Sequence, residues 1–171
     1  MTHALPAWLE PVLAFINTVD VEEGTDALDA WLAACGPPDR PGTATKEDHR
    51  LALDLRTGLR AAALANNGVP ATDHDLARLR RALDRLPLVA DTVTGVAPAT
   101  ANGVRAALGT IVAGYARAVA TGEWQRLRRC PAEDCAWAFW DSSAKGTRRW
   151  CVMSVCGNRA KVRAFAARKA R

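Results

Sequence analysis

A mainly α-helical front part followed by a small cysteine-pinned module is the fold class this sequence predicts, and three observations predict it. Apolar residues recur at helical spacing, behind recognisable start signals, from about residue 26 to residue 120. Four of the five cysteines fall between residues 130 and 156, in two C-x4-C pairs. The charge changes sign near residue 123: residues 1–123 carry 11 Lys or Arg against 15 Asp or Glu, and residues 124–171 carry 12 against 3. The net +5 therefore conceals a front part of −4 and a back part of +9. We divide the chain there, into a helical domain over 1–123 and a module over 124–171.

The elements follow in order. Asp26 predicts the cap of a first segment through Ala34, with Leu28, Trp31 and Leu32 on one side and Gly36-Pro37-Pro38 ending it. Thr45, with Asp48 three residues later, resembles a capping box and opens a long helix toward Asn66-Asn67-Gly68. Leu51, Leu55, Leu59 and Ala62 mark its buried face. Thr72 with Asp75 repeats the start signal, and Leu76, Leu79, Leu83 and Leu86 carry the next stripe until Pro87 stops it. The β-branched stretch LVADTVTGVAP, residues 88–98, predicts a small hairpin or an irregular crossing. A last long helix runs from Asn102 to about Ala120, with Val104, Leu108, Ile111, Val112, Tyr115 and Val119 on one face and Thr121-Gly122 as its stop.

Composition narrows the class. Hydrophobic residues at 49% and charged residues at 24% suit a folded globular protein and exclude a disordered one. Glu10, Asp20, Glu22 and Glu23 interrupt the first thirty residues, so neither a secretory leader nor a membrane span is expected there, and the cytoplasm is the expected compartment. Thiols are kept reduced there, which favours metal ligation or redox chemistry over structural disulfides.

Cys130 with Cys135, and Cys151 with Cys156, are separated by enough chain for a short β-hairpin that brings the pairs together. One Zn²⁺ suits four such thiolates, because it accepts tetrahedral sulfur ligation and an all-cysteine shell leaves no position for substrate. The site is then structural. Two disulfides, a thiol switch and unrelated buried cysteines are the competing readings, and the clustering argues against the last. Cys35 lies far off in a helical stretch and reads as a small buried side chain. Between the pairs, AWAFWDSSAKGTRRW sets aromatic segments on both sides of a polar turn, a hairpin signature. Trp124, Trp137, Trp140 and Trp150 lie in this module; they either stack on unpaired bases or build its small core.

After the second pair, Gly157 is expected to turn the chain and Asn158 to cap a helix, RAKVRAFAARKAR, in which Val162, Phe165 and Ala166 pack back on the module. Arg159, Lys161, Arg163, Arg168 and Arg171 then spread over the outer face. Four thiolates and one Zn²⁺ sum to −2, so Arg159 either neutralises the site or contacts a phosphate. Arg148, Arg149, Lys161 and Arg163 are the other expected phosphate contacts, giving affinity for a nucleic-acid backbone with little sequence information.

The segments RLRRCPAEDC, W-x-F-x-D-x-S, RRWC and CGNRAKVRAF closely resemble the CGNR zinc-finger proteins, stress-induced transcription regulators of bacteria with an N-terminal ABATE domain. The resemblance covers residues 126–165, and FINTVD at 15–20 is similar to the family's Asn-Thr signature. It implies that Cys130, Cys135, Cys151 and Cys156 bind zinc, that the finger binds nucleic acid, DNA first, and that the front domain senses a small effector, with Asn17 and Thr18 as ligand-binding candidates. The chain departs from the family pattern at Ala14, where members often carry an acid, and in a less basic turn, Ala144-Lys145-Gly146-Thr147.

The function expected is therefore transcription regulation by a nucleic-acid-binding protein, with RNA binding or a zinc-scaffolded protein-interaction module as alternatives. A homodimer is a further expected assembly, and no membrane partner is expected. No enzymatic role is expected: the chain has no phosphate-cradling glycine loop and no H-E-x-x-H, and His74 between Asp73 and Asp75 reads as an exposed first turn of a helix.

Overall fold

The computed structural model describes residues 3–36, 44–100 and 103–169. Six helices and three two-stranded antiparallel hairpins follow one another: α1 (Glu10–Ile16), β1 (Val19–Asp20), β2 (Thr25–Asp26), α2 (Leu28–Ala34), α3 (Lys46–Ala65), α4 (Asp73–Asp84), β3 (Leu88–Asp91), β4 (Gly95–Pro98), α5 (Gly103–Ala120), β5 (Leu127–Arg129), β6 (Ala138–Trp140) and α6 (Asn158–Lys169). The class is mainly helical, as the periodicity predicts. No helix among the described residues is long and apolar enough to cross a membrane.

α3 is the central element, and its start is built as expected. The Thr45 hydroxyl accepts from the Asp48 N–H at 3.1 Å while Asp48 accepts from the Thr45 N–H at 3.1 Å, a reciprocal capping box. Thr72 caps α4 by accepting from the Asp75 N–H at 3.1 Å, and its hydroxyl donates to the Asp75 carboxylate at 2.8 Å. α3 and α4 approach closely because Gly58 has no side chain: a Cβ there would lie 2.4 Å from the Leu79 Cβ. Leu51, Leu55 and Leu59 are fully enclosed or nearly so, against Val12, Phe15 and Ile16 of α1 and Leu108 and Ile111 of α5. Residues 88–98 form the hairpin β3–β4, with Leu88 opposite Pro98 and Asp91 opposite Gly95.

Two expectations need correction. Asp26 is not the helix cap; it lies on β2, accepts from the Leu28 N–H at 2.9 Å, and gives both carboxylate oxygens to Arg56. On α5, Val119 is half exposed and Ala118 is buried in its place, because a 3.6-residue period has rotated the face by that point. Gly122, with a φ of +76°, ends α5 as expected. The apolar core does not stop there: Trp124, Leu127, Ala138 and Trp140 belong to the same cluster as the front helices. Pro37, Pro38, Asn102 and Arg171 lie outside the described residues.

Candidate metal centre

The sulfur site is assembled from two pieces of chain. Hairpin β5–β6 pairs Leu127 with Trp140, Arg128 with Phe139 and Arg129 with Ala138, and its tip is a knuckle over residues 130–137. Cys130 N–H donates to the Trp137 carbonyl at 2.8 Å, and the N–H groups of Cys135 and Ala136 donate to Ala132 O at 3.1 and 2.8 Å. Ala136 takes a left-handed φ of 52° to close this turn. Cys151 and Cys156 come from the other piece, a loop and one turn of π-helix (Met153–Gly157) that runs straight into α6.

This overturns part of the expected hairpin. β6 pairs with the strand before the knuckle, and residues 147–150 form no strand. The pairing encloses the first cysteine pair at a hairpin tip, which is what a knuckle requires. Residues 141–149 are held by side chains instead. Asp141, wholly buried, accepts from the Ser143 N–H and hydroxyl at 3.0 and 2.6 Å and from the Arg148 N–H at 2.7 Å. Arg126 donates to the carbonyls of Asp141 and Ser143, and Arg128 to that of Gly146.

The four Sγ atoms all lie within 4.8 Å of one another and all four cysteines are buried. Cys135 and Cys151 sulfurs are 3.4 Å apart, and those of Cys151 and Cys156 3.6 Å. A zinc ion with Zn–S bonds of about 2.3 Å needs sulfurs about 3.8 Å apart, and the observed spread brackets that value. The donor set therefore fits one structural zinc. Without metal the thiols cannot all ionise at this separation. Burial pushes the Cys151 thiol far up, with the Cys135 and Cys156 thiols adding to it, and pushes Cys156 up to about 11. Cys130 goes the other way: burial opposes its ionisation, but N–H groups of Cys151 and Ala132 and the neighbouring thiols hold it below the ordinary value. A divalent cation removes this frustration by taking all four as thiolates.

Residues 126–169 match the family model of the CGNR zinc finger. This segment is a zinc finger. A comparison with curated proteins found no match to the chain. The finger is joined to the front helices by polar side chains that sequence reasoning valued differently. The Asn17 amide donates to Ala138 O at 2.8 Å and accepts from Ala138 N–H at 2.9 Å, closing against β6 like a strand neighbour. Thr18 donates to Phe15 O at 2.9 Å and accepts from Arg56 at 2.9 Å. Both expected ligand contacts thus have their polar atoms engaged within the protein.

Four links were missed. Asn66 donates to the carbonyls of Trp124 and Leu127, and Asn67 to those of Arg129 and Arg149 at 2.9 and 2.6 Å. Arg60, buried on α3, donates to Ile16 O at 2.7 Å and to the strained Ala136 carbonyl at 2.8 Å. Trp140 donates its indole N–H to His3 O at 2.8 Å. Only the Asn66-Asn67-Gly68 helix stop hinted at any of this, and it read as a terminus.

The cationic residues are placed unequally. Arg148 stacks over Phe139 at 5.0 Å and Arg149 over Trp150 at 5.3 Å, both exposed. Lys161 is exposed on α6. Arg159 pairs with Glu22 at 2.9 Å and with Asp134 at 3.7 Å, and Arg163 pairs with the same Asp134 at 3.2 Å. Arg159 therefore ties the helix to the front domain's β1–β2 turn. α6 also projects rather than packing back: Val162 and Phe165 are 67% and 64% exposed, and no residue of the helix is buried. Asn158 is no cap, since its amide donates to Ser154 O at 3.0 Å. Gly157 supplies space rather than a turn: a Cβ there would lie 2.4 Å from Met153 Sδ. Of the tryptophans, Trp124 and Trp140 are core, Trp150 covers the sulfurs, and Trp137 is exposed.

Proposed function

We propose that the chain is a nucleic-acid-binding regulator, reading duplex DNA before RNA, whose basic finger face grips the phosphate backbone while the front domain responds to a small effector. One observation carries the reading. Lys145, Arg148, Arg149, Lys161, Arg168 and Lys169 are all exposed, and among the described residues no carboxylate lies within ion-pair distance of any of them. Zinc holds the loop and the helix that carry them in one arrangement, and such a fixed cationic face suits an array of phosphates. Transcription regulation under stress, in the cytoplasm and as a homodimer, belongs to the same proposal; binding rather than catalysis is its activity.

Anisotropy titrations of a labelled duplex over a salt series test it. Log affinity falls linearly with log salt, by about 0.9 for each phosphate neutralised, and Arg149→Gln and Lys161→Gln each flatten the slope by about one phosphate. Absence of salt-dependent binding to duplex or single strand at low ionic strength refutes it. Trp137, 37% exposed beside the knuckle, favours a second reading, single-strand or RNA recognition by stacking, and its fluorescence would then be quenched by single strands and not by duplex. The bare Val162 and Phe165 favour a protein partner instead if binding survives charge reversal of Arg148, Arg149 and Arg163.

A further inference from the structure

A cavity of about 290 Å³ opens where the front domain meets the finger, and Arg56, Arg60 and Arg129 line it. Their charges are not equivalent. Arg56 is committed, with both oxygens of Asp26 at 2.7 and 2.6 Å. Arg60 gives its two terminal nitrogens to the carbonyls of Ile16 and Ala136, neutral acceptors that leave its charge without an ion pair. Arg129, on β5, has neither arrangement. Its Nε is buried without a hydrogen-bond partner, and among the described residues no carboxylate lies within ion-pair distance of its guanidinium. The Nε is enclosed and beyond the reach of an occupant, whereas the two terminal nitrogens are not enclosed, make no hydrogen bond among the described residues, and so are open to a partner in the cavity.

The rest of the lining says what can answer. Asp75 faces the cavity, with one oxygen already accepting from the Thr72 hydroxyl at 2.8 Å. Among the lining side chains, with Arg56 paired to Asp26, Arg60 and Arg129 exceed Asp75 by one positive charge, and the Cys130 and Cys135 sulfurs beyond Arg129 draw on part of it. The site therefore has charge for a monoanion and not for a phosphate dianion. Arg129 presents a planar fork, the geometry that a carboxylate matches. Val19, Val21 and Ala61 supply an apolar wall beside it.

We propose that this cavity binds the carboxylate of a small organic acid, with Arg129 as its fork, Arg60 as a second source of positive field, and the acid's apolar part against Val19, Val21 and Ala61. Arg129 immediately precedes Cys130, while the other lining residues belong to the front domain. An occupant therefore touches both parts at once. The inference rests on the proposed function only in supplying the front domain's effector, and it is tested without nucleic acid, so the two readings fail separately.

The full-length, zinc-loaded protein is titrated calorimetrically with acetate, propionate, butyrate and benzoate, at ionic strength held constant with chloride, and thermal midpoints are followed in parallel. Saturable binding is expected, tightening from acetate to the longer acids. Arg129→Gln lowers the affinity at least tenfold with zinc content unchanged. Val21→Glu, a change at a partly exposed rim that leaves the core untouched, weakens it by repulsion even if Arg129→Gln fails to fold. Inorganic phosphate is the second arm, and tighter saturable binding of phosphate than of every carboxylate overturns the assignment. So does absence of saturable carboxylate binding at millimolar concentration, unchanged affinity in Val21→Glu, or an equal rise in thermal midpoint in wild type and Arg129→Gln, which marks a general salt effect.

Discussion

Replacing Asp141 by Asn tests whether a buried charge, rather than strand pairing, holds the finger's turn. One oxygen accepts from the Ser143 N–H and hydroxyl; the other accepts from the Arg148 N–H at 2.7 Å and lies 3.8 Å from Arg128 Nε. Asn keeps a single oxygen, which the Ser143 pair retains, so its NH2 must face the Arg148 N–H, donor against donor. Losing one hydrogen bond to a charged group costs about 1.5–3 kcal/mol. Arg128, itself mostly buried, also loses its counter-ion, which brings the total to about 3 kcal/mol, the low end for breaking a buried pair. For a chain of this length that is a fall in Tm of about 6–12 °C. Thermal and urea unfolding at neutral pH, with zinc content measured on the same samples, give the answer. A fall below about 2 °C with zinc retained refutes the argument, because it means the turn does not depend on the charge. The pH dependence has a definite sign. Burial opposes ionisation of Asp141, but the Ser143 hydroxyl and N–H, the Arg148 N–H and the Arg128 charge outweigh it and hold its pKa below the ordinary 3.8. The unfolded chain then takes up the proton first as pH falls. The stabilisation is complete above the ordinary value and is lost as pH falls through the lower folded one, so the gap between wild type and Asp141→Asn narrows in acid.

Withdrawing zinc with a chelator, or Cys151→Ser, is expected to loosen residues 130–169 so that the backbone at Arg148, Arg149 and Arg159 fits the trypsin cleft and is cut faster, while most of the helical signal persists because α1, α3 and α5 share a core that contains none of the four sulfurs. Circular dichroism beside limited proteolysis separates this from global unfolding. Asn17→Ala removes two hydrogen bonds to β6 and should cost about 2 kcal/mol at about 1 kcal/mol each. Asn17→Asp should cost more than alanine in urea unfolding, since it turns a carboxylate toward the Ala138 carbonyl; the reverse order would show that this side chain does not bridge the two parts.

The elements that were legible in sequence are those whose signal is local. Thr45 with Asp48, Thr72 with Asp75 and the left-handed Gly122 each act within a few residues of their own position, and each appears as read. The sulfur site was legible because its donors are rare residues in equal pairs. What was not legible depends on partners far along the chain. Asp26 looks like a cap until Arg56, thirty residues away, takes both its oxygens. The tail's Val162, Phe165 and Ala166 read as a packing face, yet all three are exposed, while Arg159 and Arg163 of the same helix are held by Glu22 and Asp134. The polar Asn17, Asn66 and Asn67 could serve a ligand or a backbone, and only their position opposite β5 and β6 decides.

The same distinction changes how the basic segment is to be weighed. Counting charges along the chain makes residues 124–171 a +9 block facing a partner. In three dimensions much of that charge is engaged inside the molecule. Arg126 and Arg128 serve carbonyls of the finger's own turn and Arg159 and Arg163 serve Glu22 and Asp134, while Arg129 is half-buried at the cavity between the two parts. Six cations remain exposed and unpaired among the described residues. They bound the electrostatic response: a slope of log affinity on log salt steeper than about −5.4 would exceed what six phosphate contacts release at about 0.9 each. A steeper slope would require Arg159 and Arg163 to leave their acids, and Arg159 is the ion pair joining α6 to the front domain. Binding strong enough to recruit them would therefore also detach the helix from Glu22, so the salt slope reports whether the finger acts alone or moves against the domain behind it.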